Sequence, residues 1–482
     1  MPTSRRAFLT RTATLAAATT LSPLALGRTA AAATPTMAVS VNKVDITPPA
    51  GTPMAGYYEF LPTDRLSTGV SAPLYARCTI LWDNGFPNVI VTADTLVIPR
   101  AVNQDIRARV SALGIAGSDF VLTATHTHSG PVLNGDLNPL IAYGIADSSP
   151  QAWAVQDARE AFEDAVVQLV SDTLGAVRTP CTLDYKVGTA TFAANREGLT
   201  YNERDVPILV ARSLAGAPLA VLYGYGCHPV SLGSPANPTF NPDYPGVATA
   251  TIESSTGAFA QFLLGPAGDQ DPSQNLTRGT ALCQSLGQSL GQTVANAVAT
   301  PGRSIAGPIL TDYQEVSLPL SIPTASTMTA DFTSRLNDVA WDKRHATAML
   351  AQIQAADYAT AIPLPLQVWK LSGGTPLRLA LTGGELVSDY GEIFRSLYPN
   401  RSNDIWIAGY ANEVPAYIPS DTLLNSGGAQ HYACGWTADF PAIGGGAMEF
   451  YGWIGHFQGR PPGTSTNGVQ QILTAALTGM LA

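Results

Sequence analysis

The sequence predicts an α/β fold of mixed α+β layers, with its functional groups gathered at the carboxyl ends of strands. Three observations point there. Apolar, β-branched runs followed by glycine- or polar-rich turns and then helical stretches recur along the chain, without a fixed repeat period. Hydrophobic residues make up 45% of the 482 residues, enough for a packed core and too many for a disordered chain. The rare polar residues that carry chemistry fall just after predicted strands.

The N-terminus stands apart from this pattern. Ser4-Arg5-Arg6-Ala7-Phe8-Leu9 is a twin-arginine pattern, an apolar run follows from Ala13 to Leu26, and Ala30-Ala31-Ala32-Ala33 suits a signal peptidase. The run is shorter than the ~18 residues a spanning helix needs. Residues 1–33 are therefore expected to be a twin-arginine signal peptide and residues 34–482 the exported domain, secreted or held in the periplasm or cell envelope. No later segment is long and apolar enough to span a membrane.

In chain order, Val39–Ile46 alternates and stops at Thr47-Pro48-Pro49. Cys78–Trp82 and Asn88–Thr92 read as a hairpin over Asp83-Asn84-Gly85, followed by a helix over Arg100–Leu113 and a buried strand over Asp119–Thr125. Ser149-Pro150 opens a helix whose apolar stripe runs through Ala158, Phe162, Ala165, Val166 and Leu169. Strands are expected at Thr182–Thr191, Val206–Arg212, Leu219–Tyr225 and Ala258–Leu264, and helices at Gly279–Ala299 and Ala330–Ala356. Strands at Leu366–Leu371, Leu377–Leu381 and Ile405–Ala408 precede a closing helix over Val469–Leu481.

Charge narrows the partners. Only 13% of residues are charged, and the net charge is -10 with no Lys/Arg cluster, which argues against nucleic acid and anionic membranes. The five cysteines are scattered and odd in number, which argues against a disulfide framework while leaving one or two bridges open, and no C-x-x-C is present to hold a zinc ribbon. Cys227 is expected to be a buried small hydrophobe.

Five strands each end in a glycine- or proline-rich turn bearing a polar residue. Thr125-His126-Thr127-His128-Ser129-Gly130-Pro131, Gly226-Cys227-His228-Pro229, Gly383-Gly384-Glu385 and Gly265-Pro266-Ala267-Gly268-Asp269 all follow this plan, and Tyr417 lies past Ile405–Ala408. A metal is the economical explanation: zinc takes imidazole nitrogen and carboxylate oxygen and keeps one position open when catalytic. His126, His228 and Glu385 would form a two-histidine, one-carboxylate site that a tyrosinate could complete. His126 and His128 are two apart, so on an extended strand either could be the ligand. A histidine at a strand end is otherwise a hydrogen-bonded structural residue, as His345, His431 and His456 are expected to be. Serine chemistry finds no support, because the G-x-S-x-G match Gly287-Gln288-Ser289-Leu290-Gly291 falls inside a predicted helix. Gly444-Gly445-Gly446 lacks the strand and the Lys-Ser/Thr pair of a phosphate loop.

Read in order, Val44-Asp45-Ile46-Thr47-Pro48-Pro49, Met54-Ala55-Gly56-Tyr57, the Thr-His-Thr-His-Ser-Gly-Pro segment, Asn195-Arg196 and Gly226-Cys227-His228-Pro229 form a set. Asp243-Tyr244-Pro245-Gly246, Ala267-Gly268-Asp269-Gln270 and Gly384-Glu385 continue it. From about Val39 to Tyr417 the chain resembles the N-terminal catalytic domain of the neutral/alkaline non-lysosomal ceramidases. The resemblance implies a zinc-dependent hydrolase that cleaves the amide of an N-acyl lipid with metal-activated water. It implies zinc ligands at His126, His228, Glu385 and Tyr417, the last within Asn412-Glu413-Val414-Pro415-Ala416-Tyr417-Ile418. It further implies that His128 and Arg196 line the active site, where His128 or a ligand carboxylate could take or return protons and Arg196 could stabilise the developing oxyanion. Asp243 and Asp269 are candidates to orient the imidazoles, or else turn-forming aspartates.

Two departures separate this sequence from the family pattern. Where the ceramidases carry a catalytic serine, in Gly-Asp-x-Ser-Pro-Asn, this chain reads Gly268-Asp269-Gln270-Asp271-Pro272-Ser273, and Asp271 is neither a neutral hydroxyl donor nor an alkoxide nucleophile. The family's C-terminal immunoglobulin-like domain has no counterpart before Ala482, and the likeness fades after Tyr417. The implied partner is a small-molecule or lipid substrate. An ester or a glycosidic or other polymer linkage is the alternative within zinc hydrolysis, and a zinc-containing binding protein without catalysis the alternative outside it. Nothing in the sequence sets an oligomeric state.

Overall fold

Strand propensity and the turns between the runs generate a large mixed sheet with short two-stranded ones beside it. In the computed structural model, residues 37–56, 65–133, 149–197, 200–233, 238–337, 340–425, 456–457 and 468–482 are described. The principal strands are β1 (Met37–Asp45), β2 (Tyr75–Asp83), β3 (Phe86–Ala93), β4 (Phe120–Ala124), β5 (Thr179–Thr189), β6 (Asp205–Ser213), β7 (Pro218–Tyr225) and β8 (Phe259–Leu264). They continue with β9 (Arg303–Ser321), β10 (Ala361–Gly373), β11 (Leu377–Thr382) and β12 (Ile405–Ala408). Among the described residues the 13-stranded sheet runs β12-β11-β10-β9-β5-β1-β2-β3-β4, with β6, β7 and β8 branching from β5 and the short strand His456–Phe457 pairing with β9.

Most neighbours are antiparallel. The parallel pairs are β3/β4, β7/β8 and β11/β12, one near the end of each arm of the sheet. Leu81, Ile90, Leu222, Leu263, Leu379 and Trp406 share one buried cluster, so the three arms fold to face each other across a common core. Burying each such side chain contributes roughly 1.5–3 kcal/mol. The arms therefore bring the carboxyl ends of the parallel strands together, where an α/β sheet offers a ligand crevice.

Helices cover the outer faces. The Ser149 hydroxyl accepts from Ala152 N and caps the helix Pro150–Gly175, whose Phe162, Val166 and Leu169 pack onto Ile80, Val91 and Leu122. Arg100–Ser111 and Val469–Leu481 form where their periodicity predicts. The helix expected over Ala330–Ala356 is instead two, Ala325–Ser334 and Ala340–Ala355, joined in part by a 3-10 turn at Arg335–Asn337. The break lets Met328 and Phe332 pack against Ala346 and Met349, contacts that one straight helix does not allow.

Asp243–Thr256 is helical although Pro245, Gly246 and β-branched residues lower its propensity. Tertiary packing supplies what propensity lacks. A Cβ placed on Gly287 would sit 2.4 Å from Val247 Cβ, and one on Gly291 2.6 Å from Thr251 Cβ. The G-x-S-x-G segment is thus the seam between this helix and Thr280–Val298. Replacing Gly287 with alanine should cost about 1–3 kcal/mol, the usual range for overpacking, with a matching fall in the urea midpoint. An unchanged midpoint would mean the helices are not held this closely.

Cys78, Cys181, Cys227 and Cys283 are buried free thiols. Cys434, His431, the side chains of His345 and His456, Gly444-Gly445-Gly446 and residues 1–33 lie outside the described residues. Among the described residues, no helix is long and apolar enough to cross a membrane.

Candidate metal centre

Each histidine of the site enters from a strand end and is locked by a backbone carbonyl. β4 runs into Thr125, whose N–H donates to Ala93 O, and His126 N–H donates to Thr95 O. His126 then takes φ +65°, a left-handed conformation that turns its ring off the strand line and inward. Its Nδ1 is 2.7 Å from Leu96 O. His128 Nδ1 is 2.6 Å from Gly56 O. A Cβ on Gly56, itself at φ +112°, would fall 2.7 Å from His128 Cα, so glycine is what lets this carbonyl approach. β7 delivers His228, whose N–H donates to Gln270 O and whose Nδ1 is 2.6 Å from Ala267 O.

These contacts decide the tautomers. A carbonyl only accepts, so each Nδ1 carries a proton, and a ring without a second proton presents its Nε2 lone pair to the interior. The Nε2 atoms of His126 and His128 are 3.2 Å apart. Glu385 Oε2 lies 3.2 Å from His126 Nε2 and 3.1 Å from His228 Nε2. His228 Nε2 is buried without a hydrogen-bond partner. Burial, reinforced by its histidine neighbours, holds His128 well below the usual imidazole range, and burial with the nearby Arg196 charge lowers His228. Neutral lone pairs and a carboxylate facing one another repel unless a cation lies among them. The donors fit a metal: His126, His128 and His228 place ligand atoms within 4.8 Å of one another.

The remaining expected residues gather beside this cluster. Glu385 and Tyr417 are register partners in a short parallel pair, and the Tyr417 ring stacks on His228 at 6.4 Å. Arg196 N–H donates to Asp269 O, and its Nη2 donates to Gly268 O at 2.7 Å and to the Tyr417 hydroxyl at 3.0 Å. Its Nη1 is 3.4 Å from Asp271 Oδ1, which also lies 3.8 Å from His228 Nδ1. Arg196 thereby ties Tyr417 to the Asp271 turn.

Asp243 and Asp269 do not orient the imidazoles; backbone carbonyls do. Asp243 accepts from Ser231, Leu232 and Tyr244, and Asp269 from Ser388 and Asn195, so both fasten turns. Sequence reasoning passed over Tyr410. It follows Gly409 at the exit of β12, the position type that marked the others. Its hydroxyl donates to Glu385 Oε2 at 3.3 Å, and its ring lies 4.6 Å from that of His126.

Solved structures share this architecture. A ceramidase complexed with C2 superposes with a TM-score of 0.62 at 17% identity, covering 83% of this chain and 71% of the other. The fold is that of the neutral ceramidases. The neutral ceramidase from Pseudomonas aeruginosa matches with the same TM-score of 0.62 at 18% identity, over 87% of this chain and 73% of its own. No family model and no curated protein matches the sequence. At such identity the ceramidase likeness lies in the backbone path.

Proposed function

We propose that this chain is an exported, zinc-dependent hydrolase that cleaves the C–N amide bond of an N-acyl lipid of ceramide type. The observation behind this reading is the meeting of the His126 and His228 Nε2 atoms at Glu385 Oε2, with His128 Nε2 3.2 Å from that of His126; His126, His228 and Glu385 are buried and His128 is half-buried. His126, His228 and Glu385 would hold the ion, with Tyr417 beside them as the fourth ligand. Zinc, when bound, supplies a nucleophile at neutral pH by lowering the pKa of water to about 7, and polarises a scissile carbonyl.

The chain's own groups supply the rest. Neutral His128 Nε2 is placed to take a proton and return it to the leaving nitrogen. Arg196 holds the Tyr417 hydroxyl and sets positive charge where an oxyanion would develop. Asp271 favours a second reading in which the substrate is an ester or a polymer linkage, since a carboxylate paired with Arg196 replaces a hydroxyl donor. Export rests on residues 1–33 acting as a twin-arginine signal, with residues 34–482 as the catalytic domain.

The test is a panel of N-acyl lipid amides, esters and glycosides, assayed with and without a chelator alongside metal analysis of the purified protein. The amide should turn over, chelation should abolish turnover, and added zinc should restore it. Turnover that ignores the chelator sinks the metal mechanism. Bound zinc with no turnover of any substrate would make the chain a binding protein.

A further inference from the structure

We infer that Tyr410 is a positioning residue of the metal centre, holding the Glu385 carboxylate and the His126 ring in ligating orientation. The inference rests on the metal-site reading above and assigns the site a residue outside the expected ligand set.

The backbone at Tyr410 gives the first argument. Tyr410 has φ +58°, a left-handed conformation that a bulky residue adopts at a cost of roughly 1–3 kcal/mol. Glycine would occupy this position without strain. An aromatic side chain kept there must do something the backbone alone does not.

What it touches gives the second. Tyr410 is fully buried. Its hydroxyl donates to Glu385 Oε2 at 3.3 Å, the oxygen that faces both His126 Nε2 and His228 Nε2. Its ring lies tilted at 43° against His126, with centroids 4.6 Å apart. One side chain thus contacts two of the expected ligands, from two different arms of the sheet.

How the segment is anchored gives the third. Tyr410 N–H donates to Gly384 O at 3.0 Å, next to Glu385, and Tyr410 O accepts from Ala124 N–H at 3.2 Å, two residues before His126. The strained residue is bolted to both ligand-bearing turns. Partners that orient a metal's ligands typically change affinity by about 10–100-fold when removed.

Tyr410→Phe removes the hydroxyl and keeps the ring; Tyr410→Leu removes both. The full chain is purified, stripped of metal, and titrated with zinc against a competing chelator and with cobalt(II) by absorption spectroscopy. Tyr410→Phe should bind zinc roughly ten- to a hundred-fold more weakly and alter the cobalt spectrum, while the metal-free thermal midpoint stays near wild type. Tyr410→Leu should weaken binding further, and it provides the same readouts if the phenylalanine variant does not accumulate. Wild-type zinc affinity and an unchanged cobalt spectrum in the variant would overturn the role of Tyr410 while leaving the metal site standing. A wild-type protein that binds neither ion would overturn the site itself, and this inference with it.

Discussion

His228→Ala should abolish metal binding and lower kcat/KM on the order of a thousand-fold, the equivalent of about 4 kcal/mol of lost transition-state stabilisation. His228 is fully buried, its Nδ1 is held by Ala267 O, and its Nε2 faces Glu385. Alanine removes one donor from the set and leaves Glu385 short of a partner. The freed Ala267 carbonyl costs only about 1–3 kcal/mol, so the variant should remain folded and separable from a merely unfolded one by circular dichroism. His126→Ala should act alike. The double variant should be hardly worse than either single one, because ligands of one ion act as a unit. Metal analysis and steady-state turnover check both points. A folded His228→Ala protein that keeps its zinc would remove this histidine from the ligand set.

The second large effect is on stability. Arg395→Met should cost about 3–5 kcal/mol, because it strands a buried carboxylate. Arg395 Nη2 pairs with Glu203, which is 1% exposed, Nη1 donates to the Tyr201 hydroxyl, and Nε lies 3.7 Å from Asp205. The same Glu203 accepts from the backbone N–H groups of Arg204 and Asp205. Glu203 N–H reaches the Gln270 side chain, beside Asp271, so loosening this pair should also disturb the turn behind the metal centre. Urea unfolding gives the cost. Combining Arg395→Met with Glu203→Gln should recover part of it, since the stranded charge is then gone. A single variant as stable as wild type would mean that water already reaches the pair.

Much of the fold was legible because local pattern and tertiary packing agree. The hairpin over Asp83-Asn84-Gly85, the helix opened by Ser149-Pro150 and the strands around Leu209, Leu222 and Leu379 all stand where periodicity places them. Disagreement falls where long-range packing outweighs propensity. Asp243–Thr256 is a helix because Gly287 and Gly291 let it nestle closely. The long strand Arg303–Ser321 is interrupted in sequence by Pro308 and Pro319. It keeps its place by pairing with Ala361–Gly373, with a register shift between Ala306 and Ile309.

The sequence by itself determined which chemistry was on hand and roughly where: imidazoles, a carboxylate and a tyrosine, each at the exit of a strand. Strand exits announce themselves through short-range patterning, and residue type sets what a side chain can donate or accept. Only the tertiary structure decided which ring nitrogen faces inward, that Arg196 and Asp271 form a pair, that Asp243 and Asp269 fasten turns, and that Tyr410 belongs at the centre. The physical reason is that tautomer and orientation are set by carbonyls from elsewhere in the chain. Leu96, Gly56 and Ala267 lie 30, 72 and 39 residues from the histidines they hold, and no local pattern in the sequence encodes those approaches.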